Sequence, residues 1–501
     1  MAFRVPIRLL SNEQKSQIRK DLTLREKIKY VIGPKGPTFK EIIFYSVDLK
    51  TQELLLPLHY ACQFFKKSFL NQRLIYPKVP PFQVTTSLRD YQEEIVQMSL
   101  QNLHDRGTTF LNVFCSFGKT VVAAFLSAAI SARYGLCTLV TYPLKMIESS
   151  WIGTFRDLTT AKLYIVGETQ GPPDPDVQVF ICMDTRLPAL DPQIRAKIGH
   201  FVIDEADCFC TKGRVEALLS VEPLFITALT ATYERDDGFE KMLDLTVGSD
   251  RIVRISKRPF FVFHRPTSFE VTPRVGPRGI IYDDLIGQYD IIPERNSLIL
   301  ETVLDNLSEK ILILTKHVEH AENLHSWLTT YLTPHGKTCS LLAKTVRKYS
   351  DASVIVGTIS KVGRGFDENK SCHDWKGERI NLLILASSTK KIEQIAGRVF
   401  RADIPIIVDI VDNHKNVQNH WRIRRRWYES RNGIILHTTE RFVWKNMFPQ
   451  LMGQYQERLK SGIIPLTQEQ EESKKLTDAH LESLRAKLAS LSQGLSGRTP
   501  L

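Results

Sequence analysis

Between about residue 87 and residue 250, short apolar runs alternate with helix-length segments: TFLNVF (109–114), LCTLVTY (136–142), VQVFIC (177–182), HFVIDE (200–205) and LFITALTAT (224–232). Runs that are apolar at successive positions, instead of at every second one, belong to strands buried on both faces, as in a parallel sheet covered by helices. A second series of the same kind follows: KILILT (310–315), SVIVGT (353–358), NLLILA (381–386) and PIIVDIVD (405–412), with HVEHAENLHSWLTTYL between the first two. The pattern predicts two α/β domains in tandem, and a cleft between two such domains is a preferred seat for a ligand. Pro259, Pro266, Pro273, Pro277, Gly276 and Gly279 predict a linker over 259–283, and Pro80-Pro81 marks an earlier boundary. Ahead of that boundary, EKIKYVI, EIIFYSVD and LLLPLHYACQFF predict strands and one short helix, an α+β extension. Past residue 412 the strand signal stops. A charged helix with Leu481, Leu484, Leu488 and Leu491 at heptad-like spacing is predicted near the end, a helical C-terminal tail.

Length and composition narrow the function classes. The chain has 501 residues, enough for two to four domains, and its 43% hydrophobic and 24% charged residues are those of a folded globular protein. The longest uncharged apolar run, 121–132, is cut by Arg133 and is too short to span a bilayer, so no membrane partner is expected. MAFRVPIRLL lacks the apolar core and cleavage site of a secretory signal, which predicts a cytoplasmic or nuclear location. Eight scattered cysteines fit free thiols in a reducing compartment, and the Cys208/Cys210 pair has no second pair to complete a zinc site. A net charge of +12 points to a polyanion, nucleic acid first. Between residues 414 and 445, Lys415, Arg422, Arg424, Arg425, Arg426, Arg431, Arg441 and Lys445 face only Glu429 and Glu440. Interleaved with Trp421, Trp427 and Tyr428, this segment predicts base stacking or a grip on a phosphate backbone, with Arg424 and Trp427 as candidate contacts.

The candidate chemistry falls in order along the chain. Gly118-Lys119-Thr120 stands where TFLNVF gives way to the apolar helix beginning VVAAFLSAAI. At such a junction, free backbone N–H groups and the helix dipole point at an anion, Lys119 reaches terminal phosphates and Thr120 offers a hydroxyl to Mg²⁺. Asp204-Glu205-Ala206-Asp207 ends the strand HFVI, and adjacent carboxylates at a strand end are costly to hold together without a cation. Asp204 is the candidate Mg²⁺ ligand and Glu205 the group that orients or deprotonates an attacking water. Leu88-Arg89-Asp90-Tyr91-Gln92 precedes them, and an amide that donates and accepts, as Gln92 does, suits the edge of adenine. Thr230-Ala231-Thr232 ends the strand FITAL, where hydroxyls are placed to link a nucleotide to the neighbouring domain. In the second domain a glycine-rich loop runs from Gly357-Thr358 to Gly363-Arg364-Gly365-Phe366-Asp367, and QIAGRVFR sets Arg398 and Arg401 three apart, on one face of a helix. Guanidinium groups so placed stabilise charge developing on a γ-phosphate.

The ordered set LRDYQ, GKT, DEAD, LTATYERDDG, GTISKVGRGFD and QIAGRVFR resembles the superfamily 2 helicases and translocases over residues 85–412. LTAT followed by ERDDG, and the segment IVDIVDNHKNVQNHWRIRRRWY, resemble the DNA-directed group: the XPB-like and UvsW-like helicases and the poxvirus transcript-release helicase with its relatives in large DNA viruses. DEAD-box RNA helicases carry SAT and HRIGRxxR where this chain has TAT and QIAGRVFR.

The resemblance implies two tandem RecA-like domains, over 83–258 and 284–412, with an accessory region 1–82 that braces the first domain or recognises branched nucleic acid, a linker at 259–283 and a basic and helical extension over 413–501. It further implies ATP as cofactor with Mg²⁺. Gln92 would contact adenine, and Ser116, Gly118, Lys119 and Thr120 the phosphates. Asp204 would hold Mg²⁺, Glu205 act as base, and Arg398 and Arg401 act as arginine fingers with Gln394 at the γ-phosphate. Thr230 and Thr232 would couple hydrolysis to domain motion, and Thr358 and Gly363 face the nucleic-acid backbone. The implied activity is that of an ATP-dependent DNA helicase or translocase, with DNA favoured over RNA and transcription or replication machinery as further partners. An RNA helicase is the next reading, and a turnover-deficient scaffold the third, against which Lys119, Asp204, Glu205, Arg398 and Arg401 stand intact. The chain departs from the family's phosphate loop at Val113 and Ser116, where related loops carry glycine.

Overall fold

The computed structural model describes residues 2–461, apart from 26–31, 34–35, 38–40, 70–74, 236, 257, 278, 345, 347, 364, 365 and 367. The leucine-bearing tail helix therefore lies outside the described residues, as do Arg364, Gly365 and Asp367 of the glycine-rich loop.

Two seven-stranded sheets, both parallel throughout, form the body. The first runs in the order Leu163–Ile165, Val179–Met183, Cys137–Tyr142, Ile198–Ile203, Phe225–Thr230, Thr108–Val113 and Ile252–Arg254. The second runs Cys339–Leu342, Val354–Thr358, Ile311–Thr315, Leu382–Leu385, Ile406–Val411, Phe260–Pro266 and Gly433–His437. Every residue of the strands Cys137–Tyr142, Ile198–Ile203, Phe225–Thr230 and Ile406–Val411 is buried, which is why they read as largely apolar runs. Crossover helices cover them. The helix Lys119–Tyr134, for instance, buries Val122, Ala123, Leu126 and Ile130 and stops at Gly135, whose φ of 63° ends it in the left-handed region. This is the pair of RecA-like domains that the motif order implied.

The breaker-rich stretch 259–283 is not a linker throughout. Phe260–Pro266 is an inner strand of the second sheet, between Ile406–Val411 and Gly433–His437. Its prolines flank six buried residues, and a proline at a strand's end removes no inner hydrogen bond. The two sheets are thus connected by residues 255–259 alone. Sheet structure also continues past 412, because the helix Lys415–Ser430 returns the chain to the edge strand Gly433–His437.

Residues 2–65 join the first unit's core. Ala2 N–H donates to Val221 O, the Arg4 guanidinium forms two 2.7 Å bonds to Glu222, and Phe3, Leu22, Leu56 and Leu58 are buried in the same cluster as Phe110 and Phe225. The extension braces the first sheet. Among the described residues no helix is long and apolar enough to cross a membrane.

Candidate nucleotide site

At the end of the strand Thr108–Val113 the chain makes a tight loop before the helix Lys119–Tyr134. Gly118 sits at φ 93°, a conformation that favours glycine, and a Cβ there would come within 2.4 Å of Gln92 Nε2 and displace it. Ser116 also lies in the left-handed region, at φ 73°, where the family pattern has glycine; its Oγ donates to Gly397 O across the cleft at 3.2 Å. Lys119 Nζ donates to the carbonyls of Val113 (3.1 Å) and Phe114 (3.5 Å), at the mouth of the loop. Thr120 follows in the first helical turn, half-buried. Gln92 is buried and committed to backbone: its Nε2 donates to Phe117 O at 2.8 Å and its Oε1 accepts from Arg89 N at 3.1 Å. In this conformation it braces the loop, so an adenine would have to draw on the amide's remaining capacity.

The strand Ile198–Ile203, two positions away in the sheet, delivers the acidic pair. Asp204 accepts from Trp151 Nε1 at 2.9 Å and from its neighbour's backbone N–H at 2.9 Å, while Glu205 takes φ 49°. Burial pushes the Asp204 carboxyl up to about 7, the Glu205 charge adds to the push, and Lys119 and the Trp151 bond oppose it. Two carboxylates crowded in this way are an oxygen donor set suited to a hard divalent cation. Trp151 was not signalled by the sequence; only its position, on the helix Lys145–Leu158 that packs behind the strand end, brings it to Asp204.

Thr230 Oγ1 donates to Asp207 Oδ1 at 2.9 Å and accepts from Thr232 N–H at 3.0 Å, and Arg235 Nη1 donates to Asp207 O at 2.6 Å. The acidic segment and the TAT segment are therefore tied to each other. From the second unit, Gln394 Nε2 reaches Thr232 Oγ1 at 3.2 Å and Glu205 Oε2 at 3.5 Å. Gly397 lies against the phosphate loop so closely that a Cβ there would stand 2.3 Å from Cys115 Cβ.

The two arginines do not face the cleft together. Arg398 is buried and donates to the carbonyls of Phe366 (2.6 Å) and Gly363 (2.9 Å) in its own unit. Arg401 turns toward Glu368, 3.9 Å away, and lines a cavity of about 610 Å³ with Glu309, Glu378, Arg379 and Trp444, all of the second unit. The physical reason is that the helix spans only Glu393–Ala396, so residues 397–401 run in turns and the three-residue spacing no longer sets one face. Thr358 is buried at the end of its strand, 3.3 Å from Ser360 Oγ. Gly363 is buried too; a Cβ would meet Ile359 O at 2.6 Å, and its carbonyl is the one that Arg398 holds.

Arg424 and Trp427, expected at the nucleic acid, face inward. Arg424 is fully buried in a bidentate pair with Asp409, both bonds 2.7 Å, which Tyr428 joins at 2.8 Å. Trp427 is half-buried against Phe400 and Phe260, with ring centroids 6.1 Å apart in each case. Helical phase decides this: Val417, Trp421, Arg424 and Tyr428 share the inner face, leaving Lys415, Arg422, Arg425 and Arg426 outside.

A family model described as "Type III restriction enzyme, res subunit" matches residues 85–235. The protein 161L of Invertebrate iridescent virus 6, provisionally named a helicase, is 25% identical over 379 residues, covering 70% of this chain and 82% of its own. L396 of Acanthamoeba polyphaga mimivirus, provisionally named an ATP-dependent RNA helicase, is 20% identical over 428 residues, covering 81% of this chain and 79% of its own. Among solved structures, the ATP-dependent type ISP restriction-modification enzyme LlaBIII bound to DNA shares the fold with a TM-score of 0.50 at 12% identity, over 78% of this chain and 34% of that one.

Proposed function

We propose that the chain is an ATP-hydrolysing helicase or translocase of superfamily 2, that DNA is its track and that its work lies in transcript release or in DNA repair and recombination. The observation that carries the reading is the contact across the cleft: Ser116 and Cys115 of the phosphate loop lie on Gly397, and Gln394 bridges to Glu205 and Thr232. A nucleotide on Lys119 is then within reach of both units, and its hydrolysis changes how they meet.

In this mechanism the loop N–H groups and Lys119 hold the β- and γ-phosphates, and Gln92 supports the loop from behind. Thr120 and Asp204 would hold Mg²⁺, which when bound neutralises phosphate charge. Glu205 takes a proton from the attacking water, oriented with Gln394 beside it. Arg398 links the nucleotide to the polynucleotide, because it grips the carbonyls of the loop whose Thr358 and Gly363 would meet the strand. Contacts to that strand go to phosphates and are independent of sequence. Arg401 has to leave Glu368 to act as a finger.

Support for DNA comes from TAT and QIAGRVFR in place of the DEAD-box RNA helicase signatures. RNA is the second reading, favoured by the name of the mimivirus relative. ATPase assays with single-stranded DNA, duplex DNA and RNA separate them: stimulation by DNA is expected, and stimulation by RNA alone overturns the choice.

A further inference from the structure

Arg431 follows the helix Lys415–Ser430, beyond the last of the recognised motifs. Its backbone N–H donates to Trp427 O at 3.1 Å, and Asn432, at φ 67°, makes the corner into the edge strand Gly433–His437. The helix is pinned to the sheet by the buried Arg424–Asp409 pair, so the base of the Arg431 side chain is fixed. That side chain, 16% exposed, donates through Nη2 to Glu393 Oε1 at 2.8 Å. Its Nε is buried with no hydrogen-bond partner.

The crevice it enters is bounded on one side by Phe114 and Cys115 of the phosphate loop and on the other by Glu393 and Gly397, with Ser256 of the connecting segment at its edge. Glu393 is thus held by Arg431 of its own unit on the side of the crevice that faces the phosphate loop. Burial raises its carboxyl, while Arg431 and Lys119 both draw it down. A carboxylate held by a guanidinium and within the field of the phosphate-loop lysine presents the charge that a terminal phosphate would bring, and guanidinium recognises either oxyanion in the same geometry. The neighbouring motif arginine, Arg401, is directed elsewhere.

We propose that Arg431 is a phosphate-facing residue of the nucleotide cleft, exchanging Glu393 for the terminal phosphate of a nucleoside triphosphate. The proposal rests on the Lys119 loop being the ATP site. Exchanging one anion for another keeps the half-buried guanidinium paired throughout, which avoids the cost of stranding its charge. A diphosphate, lacking the terminal group, leaves the Arg431–Glu393 pair in place.

The test is equilibrium titration of the full chain with a fluorescent non-hydrolysable ATP analogue and, separately, with the matching ADP. Arg431→Ala is expected to weaken the triphosphate about tenfold, the loss of one charge-assisted hydrogen bond, and to leave the diphosphate within about twofold. Arg431→Lys recovers part of the loss. Glu393→Gln removes the competing charge and tightens the triphosphate alone. Equal losses for both nucleotides in Arg431→Ala, or no loss for either, overturn the proposal. Should Arg431→Ala fail to fold, an unaltered triphosphate-to-diphosphate preference in Glu393→Gln overturns it as well. Lys119→Ala tests the parent reading independently: wild-type binding of both nucleotides in that variant removes the ATP site from this loop.

Discussion

The two sides of the cleft keep their charges in opposite ways. On the first unit Asp204 and Glu205 stand side by side, and the nearby ammonium of Lys119 is directed to backbone carbonyls. On the second unit the guanidinium groups are already matched: Arg398 to the carbonyls of Gly363 and Phe366, Arg401 to Glu368, Arg424 to Asp409 and Arg431 to Glu393. On the proposed reading, the first side would receive positive charge together with a nucleotide, and the second would give up a contact before meeting the phosphates, an exchange able to couple binding to domain movement.

The sharpest break of this contrast is Glu205→Gln. It preserves size and hydrogen bonding but removes the base, so ATP turnover falls by roughly 10²- to 10⁴-fold while equilibrium ATP affinity is kept. Undiminished turnover would take Glu205 out of the chemistry. On the opposite side, Arg424→Ala leaves Asp409 charged and unmatched in the core and lowers stability by about 3–5 kcal/mol. The double variant Arg424→Leu with Asp409→Leu recovers most of that in thermal or denaturant melts; equally unstable single and double variants would show that the pair is not what holds the helix. The finest probe is Trp151→Phe, which keeps the ring in its fully buried place and deletes the N–H that orients Asp204. The Mg²⁺ concentration for half-maximal ATPase should rise about tenfold, with kcat at saturating Mg²⁺ near wild type. An unchanged Mg²⁺ requirement, with a lowered melting temperature, would reduce Trp151 to packing.

What the sequence disclosed and what it hid follow one rule. GKT, DEAD and TAT are runs of adjacent residues at strand ends, and chain continuity alone places them; the doubly buried strands between them were legible for the same reason. Arg424 was misread because charge was counted without helical phase, although Val417, Trp421, Arg424 and Tyr428 repeat at four, three and four residues, the spacing of an inner face. The strand Phe260–Pro266 was hidden by the prolines at 259 and 266, which bound it without interrupting it. Arg401 was misplaced by extending a helix that ends at Ala396. Trp151 carries no local signal, and Arg431 stood out only as one charge of the basic segment, since each finds its partner, Asp204 or Glu393, only through tertiary packing.

The brevity of the connection between the sheets sets the scale of any stroke. From Arg254, the end of one sheet, to Phe260, the start of the next, six peptide steps span at most roughly 20 Å. Ser256, within that tether, lines the same crevice as the phosphate loop, so the pivot lies beside the fuel. A hinge so placed magnifies: slight give beside Ser256 becomes a wider sweep at Val354–Thr358, four strands away from Phe260–Pro266 in the second sheet.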